Sequence, residues 1–217
     1  MLVGDVQTWV DSFVSFDDRF LERIAAAWPE CLAVLAGQPR EDDITINLVD
    51  SLAKDAVVRR LCHWVEYQFE PFGLAADGSK YSKGIIDIAV LFDWDRERYL
   101  AYECKRLNVI KDGTRRSLAT EYVTQGMMRF MTEQYAEHLP IGCMIGYVLD
   151  ANVSFARSRL NTIIGGHSPL SLIEGPTPLS MLNTVERFRT LHKRVAGSNI
   201  ELRHALFSYS SALHLAP

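Results

Sequence analysis

Two apolar runs set close together constrain this chain most: GIIDIAVLF at residues 84–92 and RYLAYECKRL at 98–107, separated only by DWDRE. Both have the length and the β-branched and aromatic content of strands. Both also carry charge where burial on two faces is expected, Asp87 alone in the first and Glu103 with Lys105 in the second. Alternation along a strand puts Tyr99, Ala101, Glu103 and Lys105 on one face and Leu100, Tyr102 and Cys104 on the other. A hairpin centred on Asp95 then sets Asp87 directly opposite Glu103.

Direct cross-strand partners have Cβ atoms about 4.5 to 5.5 Å apart. Two ionised carboxylates at that separation repel, and burial makes their charged forms costlier still. A hard divalent cation such as magnesium, held by carboxylate oxygens, a main-chain carbonyl and waters, resolves the conflict. Lys105 adds a compact ammonium able to orient a water or stabilise charge on a phosphate. The purely structural alternative is that Lys105 pairs with Asp87 or Glu103 to neutralise the strand pair. Buried ion pairs contribute little to stability, so a fold gains little from keeping three such groups together.

The flanking sequence supplies the elements around this pair. Trp9, Phe13, Phe16, Phe20, Ile24 and Trp28, three and four apart, predict one or two amphipathic helices ending near Gly37. A second helix is expected over 43–62 from Ile44, Leu48 and Leu52, with Glu41 and Asp42 at its start, where negative charge suits the helix dipole. HWVEYQFEPF at 63–72 is a further strand, giving an antiparallel meander of three. After the basic loop NVIKDGTRRS come a helix over 119–138, a strand at 141–149 and a helix at about 152–163. The tail predicts a helix from about Pro178 to Arg194 and a last strand over 200–208. The expected class is therefore α/β with a mixed sheet.

The motif Asp on one strand and Glu-x-Lys on the next, here Asp87 with Glu103, Cys104 and Lys105, resembles that of the PD-(D/E)XK nuclease superfamily. The expected order of elements is similar to its restriction-endonuclease-like αβββαβ core, also found in resolvases. The resemblance covers about residues 40–150, leaving residues 1–38 as an N-terminal helical extension and a helix and strand as a C-terminal extension of a nuclease-like unit over 39–217. It implies that Asp87 and Glu103 hold Mg2+, or Mn2+ in its place, with the carbonyl of Cys104 completing the site, and that Lys105 assists the attacking water. It also implies an acidic residue on the first core helix, matched by Glu41, with Glu66 and Glu70 as competitors, and a glutamine on the helix after the motif, matched by Gln125. The chain departs from the pattern in two respects: Ile86 stands before Asp87 instead of proline, and Arg129 and Phe130 replace the tyrosine that often follows the glutamine.

Charge distribution agrees with a nucleic-acid partner. The formal net charge is -4, yet residues 1–50 hold ten acidic and three basic side chains, so the remainder is net basic. Arg106, Lys111, Arg115 and Arg116 follow Lys105 closely and are candidates for contacts to a phosphate backbone, although a solvated loop explains each of them equally well. His204 on the last strand has the features of a structural histidine. Four scattered cysteines and no basic-apolar leader or long apolar stretch point to a reduced, cytoplasmic protein without a membrane span. The resemblance implies a DNA-directed, Mg-dependent endonuclease of a restriction, repair or antiviral defence system, with a protein partner or homo-oligomer supplying specificity. The alternative is a degenerate nuclease fold that binds nucleic acid or protein without cutting.

Overall fold

The structure is a computed structural model that describes residues 6–209 apart from 36, 95 and 97, and describes side chains from residue 10 onward. A seven-stranded mixed sheet forms its centre, with helices on both faces. Helix α1 (Val6–Ala33) is a single helix, followed by α2 (Glu41–Lys54) and the short α3 (Val58–Leu61). The apolar stripe of α1 buries Phe13, Phe16, Phe20, Ile24 and Trp28, as its spacing predicts; the side chain of Trp9 lies outside the described residues.

The helix expected over 43–62 starts earlier and stops sooner. It breaks at Asp55, whose backbone is extended and whose carboxylate accepts from the N–H groups of Val57 and Val58 at 2.7 and 2.9 Å. That side chain offers the backbone an alternative to continuing the helix.

Three strands, β1 (Trp64–Phe69), β4 (Ile86–Leu91) and β5 (Tyr99–Leu107), form the antiparallel meander. A hairpin of β2 (Phe72–Leu74) and β3 (Lys80–Ser82) interrupts it, and the basic loop is itself a hairpin of β6 (Val109–Lys111) and β7 (Thr114–Arg116). The next helical segment runs through α4 (Ala119–Glu121), a π-helical stretch (Tyr122–Met127) and α5 (Met128–Met131). It ends seven residues short of the predicted boundary at 138. Strand β8 (Ile141–Val148) and helix α6 (Val153–Gly166) follow as expected.

The C-terminal extension corrects the sequence reading. Residues 178–194 form no helix; β9 (Leu172–Pro178) and β10 (Glu186–Lys193) pair antiparallel, and β10 pairs antiparallel with β11 (Asn199–Ser208). Val185, Phe188 and His192 are spaced as on a helix, but Phe188, Thr190 and His192 also alternate, and all three are buried between neighbouring strands. Pairing on both sides of β10 decides between the two periods.

The sheet order is β1-β4-β5-β8-β11-β10-β9, with β8 parallel to both β5 and β11. Helix α1 covers one face. Phe20 packs on Tyr102, Trp28 stacks on Tyr147, and the buried Asp17 accepts from Tyr102 Oη at 3.0 Å and Arg203 Nε at 2.6 Å. The opposite face carries the 119–131 segment and α6. Gly126 comes so close that a Cβ there would lie 2.6 Å from Met144 Cε and 3.5 Å from the Cγ atoms of Glu103 and Lys105. Glycine lets this helix approach the charged end of β5. Among the described residues, no helix is long and apolar enough to cross a membrane.

Candidate active site

The β4–β5 ladder pairs Leu91 with Tyr99, Val90 with Leu100, Ala89 with Ala101 and Ile88 with Tyr102. This is the register that sets Asp87 toward Glu103; Asp95, the predicted hairpin centre, lies outside the described residues. The ladder ends one pair before 87 and 103. There Asp87 Oδ2 accepts the main-chain N–H of Cys104 at 2.7 Å, so the carboxylate replaces a strand contact. On the other side of β4, Gln68 occupies the position opposite Asp87 and has φ 55, between the paired Tyr67 and Phe69. Asp87 therefore sits where both neighbouring strands are irregular, and a left-handed non-glycine residue is a costly conformation of the kind that gathers at functional sites.

Four oxygens converge on the Lys105 ammonium. Nζ lies 2.8 Å from Glu103 Oε1, 2.9 Å from Glu41 Oε1, 2.8 Å from the carbonyl oxygen of Cys104 and 3.8 Å from Asp87 Oδ2. Glu41 reaches the site as the first residue of α2, and its second oxygen accepts from the Arg106 N–H at 2.9 Å. The structure thus brings Asp87, Glu103, Lys105 and Glu41 together, with the main chain of Cys104; the Cys104 thiol is buried on the other face.

Sequence reasoning missed a fifth member. Arg129 Nη1 donates to both Glu103 oxygens, at 3.0 and 3.3 Å, and its guanidinium lies 5.3 Å from the centroid of the Tyr135 ring. The Tyr135 hydroxyl in turn donates to the carbonyl of Ile85, two residues before Asp87. The signal was the departure itself, a cation where the resemblance leads one to expect an aromatic.

Burial governs the ionisation of this cluster. It pushes the Glu103 carboxyl up to about 8, aided by Asp87 and opposed by Lys105 and Arg129. Asp87 is also raised, chiefly by burial. Burial alone would lower the Lys105 ammonium, but Glu103, Asp87 and Glu41 outweigh it and hold the ammonium above its ordinary value. Three carboxylates against two cations leave the fully ionised site one negative charge in excess.

The other predicted residues are placed elsewhere. Gln125 is exposed on the π-helical stretch and makes none of the contacts that join the cluster. The Arg106 guanidinium donates to the carbonyl of Pro39 at 3.2 Å. Arg115 pairs with Asp150 and lies over the Phe155 ring, and Arg116 faces Glu121 at 3.6 Å. Lys111 is exposed on the β6–β7 hairpin. Glu66 pairs with Arg96, and Glu70 is exposed. His204 is buried among Tyr122, Thr190 and Phe188, in the structural setting expected of it.

The donor set is made of hard oxygens, the kind magnesium takes, and all four lie within 3.8 Å of one cationic atom. Their chemistry is that of ligands to a divalent cation, and the point on which they converge is held by the Lys105 ammonium. Among the described residues, no group of three or more His, Cys, Asp or Glu side chains forms a ready-made metal cluster; here the focus of the carboxylates is the lysine ammonium.

No family model, curated protein or solved structure matches this chain.

Proposed function

We propose that this chain is a cation-dependent nuclease of the PD-(D/E)XK type that hydrolyses phosphodiester bonds, with DNA as its substrate. The observation that carries the reading is the ring of oxygens from Glu41, Asp87, Glu103 and the Cys104 carbonyl about Lys105 Nζ. The order α2, β1, β4, β5, the 119–131 helical segment and β8 supports a restriction-endonuclease-like core, with β2–β3 and β6–β7 as insertions and α1 as an N-terminal extension that shares its apolar core.

Asp87, Glu103 and Glu41, with the Cys104 carbonyl, would hold Mg2+ or Mn2+. When bound, such an ion polarises a phosphoryl oxygen and makes a bound water more acidic. Lys105, fixed by three carboxylates, orients the attacking water through its N–H groups and stabilises developing negative charge. Burial of Glu103 keeps bulk water from its carboxylate. Specificity is assigned to a partner protein or a second copy.

The test incubates the protein with plasmid DNA, single-stranded DNA and RNA, in magnesium or manganese and then in EDTA, beside Asp87→Ala and Lys105→Ala. Cleavage lost on chelation and in both variants supports the reading. Cleavage indifferent to chelation and to both substitutions would show that this site is not the source of activity.

A second reading has its own observation. Lys105 and Arg129 already neutralise most of the carboxylate charge without a metal, as a degenerate binding module would require. Nucleic acid bound without cleavage, and no uptake of manganese, favours that reading.

A further inference from the structure

We propose that Arg129 is the phosphate-binding residue of this site, a guanidinium held against Glu103 in the free protein and directed at a non-bridging oxygen of the scissile phosphodiester in the complex. The inference rests on the nuclease reading above and adds to it the group that holds the substrate.

Arg129 differs from a simple counter-charge in three respects. First, Arg129 is the second cation on Glu103: Lys105 Nζ lies 2.8 Å from the carboxylate that Arg129 approaches at 3.0 Å. Second, Glu103 is wholly buried while the Arg129 side chain is 34% exposed, so the residue reaches from the buried carboxylate to solvent. Among the described residues only Nη1 has hydrogen-bond partners, Glu103 and Tyr135, which leaves the Nε and Nη2 donors for another acceptor. A planar fork with spare donors matches a phosphate's oxygens better than an ammonium does. Third, its position is braced. Tyr135 contacts the guanidinium with its hydroxyl and ring and bonds to the carbonyl of Ile85, which ties Arg129 to the strand that carries Asp87.

The pairing with Glu103 also couples two ligands. A cation held by Glu103 competes with Arg129 for that carboxylate, and an anion held by Arg129 relieves the same competition. Cation and phosphodiester therefore favour each other's binding, and by linkage the effect is reciprocal.

The experiment measures binding of a fluorescein-labelled single-stranded oligonucleotide by anisotropy, without divalent cation and in Ca2+, for the wild type, Arg129→Met and Arg129→Lys. Thermal melting confirms that each variant is folded, and Arg129→Lys keeps a cation for Glu103 if the methionine variant does not fold. The wild type is expected to bind more tightly in Ca2+. Arg129→Met should lose about tenfold or more in affinity together with that gain, and Arg129→Lys should retain the melting temperature but only part of the affinity. Mn2+ titrated into the nucleic-acid-free protein should bind Arg129→Met at least as tightly as wild type, because one competing cation is gone. A folded Arg129 variant that binds the oligonucleotide like wild type, with the same gain in Ca2+, overturns this inference and leaves the nuclease reading standing. A wild type that binds neither the oligonucleotide nor Mn2+ overturns both.

Discussion

Lys105 Nζ and Glu41 Oε1 lie 2.9 Å apart although 64 residues separate them in sequence. The contact joins the first turn of α2 to the end of β5, and Glu41 uses both oxygens in it, one for Lys105 and one for the Arg106 N–H. Glu41→Gln leaves a single acceptor oxygen for two donors and turns an amide N–H against one of them. A cost of about 1 to 3 kcal/mol is expected in urea unfolding, together with about ten- to a hundredfold weaker Mn2+ binding or cleavage. A helix-start acid with no part in the site would lose only about 0.3 to 1 kcal/mol and leave Mn2+ affinity unchanged.

Lys105→Met keeps the apolar stem and removes the ammonium. Glu41, Asp87 and Glu103 then face one another with Arg129 as the nearby cation, and a buried charge left without its partner costs about 3 to 5 kcal/mol. Manganese should restore much of this, because ligand at about 100 times its Kd contributes about 2.7 kcal/mol. Melting curves with and without millimolar Mn2+ should show a larger upward shift for Lys105→Met than for wild type. No upward shift in either protein would mean that these oxygens do not form a cation cage.

Asp17 performs the corresponding task on the far face of the sheet, where it accepts from Arg203 and Tyr102 and lies 3.6 Å from Arg187. Asp17→Asn keeps the shape and removes one charge, while Arg187 and Arg203 keep Asp18 and Arg203 also keeps Glu201, so about 1 to 3 kcal/mol of stability should be lost. The midpoint of urea unfolding should fall with an unchanged m-value. Mn2+ affinity at the candidate site should be unaffected, because Asp17 contacts the face opposite Glu103. A loss of metal binding without a loss of stability would contradict this division of roles.

The contrast between these two clusters shows what the sequence discloses. Asp87, Glu103 and Lys105 are legible because strand alternation and a short hairpin fix their relation locally, and Glu41 because acids at a helix start are recognisable. Arg129 and Tyr135 are not, since only the approach of the helix at Gly126 and the turn after Met131 bring them to Glu103. The apolar spacing of strand β10 fits a helix as well as a strand, and pairing with β9 and β11, absent from any local window, decides the matter. Gln125 matched a motif position, but the π-helical stretch leaves it exposed.

Neutral histidines leave one assignment of protons in the buried hydrogen-bonded chain that runs from Leu170 to Tyr122. His192 Nδ1–H donates to the carbonyl of Leu170 at 2.9 Å, so its Nε2 accepts from the Thr190 hydroxyl at 2.7 Å. Thr190 then accepts from His204 Nε2–H at 2.9 Å, and His204 Nδ1 accepts from the Tyr122 hydroxyl at 2.9 Å. A proton added to either ring makes the facing hydroxyl turn to accept, and that hydroxyl's own hydrogen loses its buried acceptor. Burial, and for His204 also the neighbouring His192, holds both imidazoles below their ordinary value of 6.5. The folded protein thus binds fewer protons than the unfolded chain below that value. Stability from these groups is complete above pH 6.5 and falls as pH drops through it toward the depressed folded-state values. Each histidine should contribute a slope of about 1.4 kcal/mol per pH unit in that range. His204→Leu is expected to be less stable at pH 8, because Tyr122 and Thr190 lose a partner, and to have a shallower acid limb by the slope of one histidine. Urea unfolding from pH 8 to 5 measures both, and an unchanged acid limb in His204→Leu would show that His204 is already charged in the folded protein.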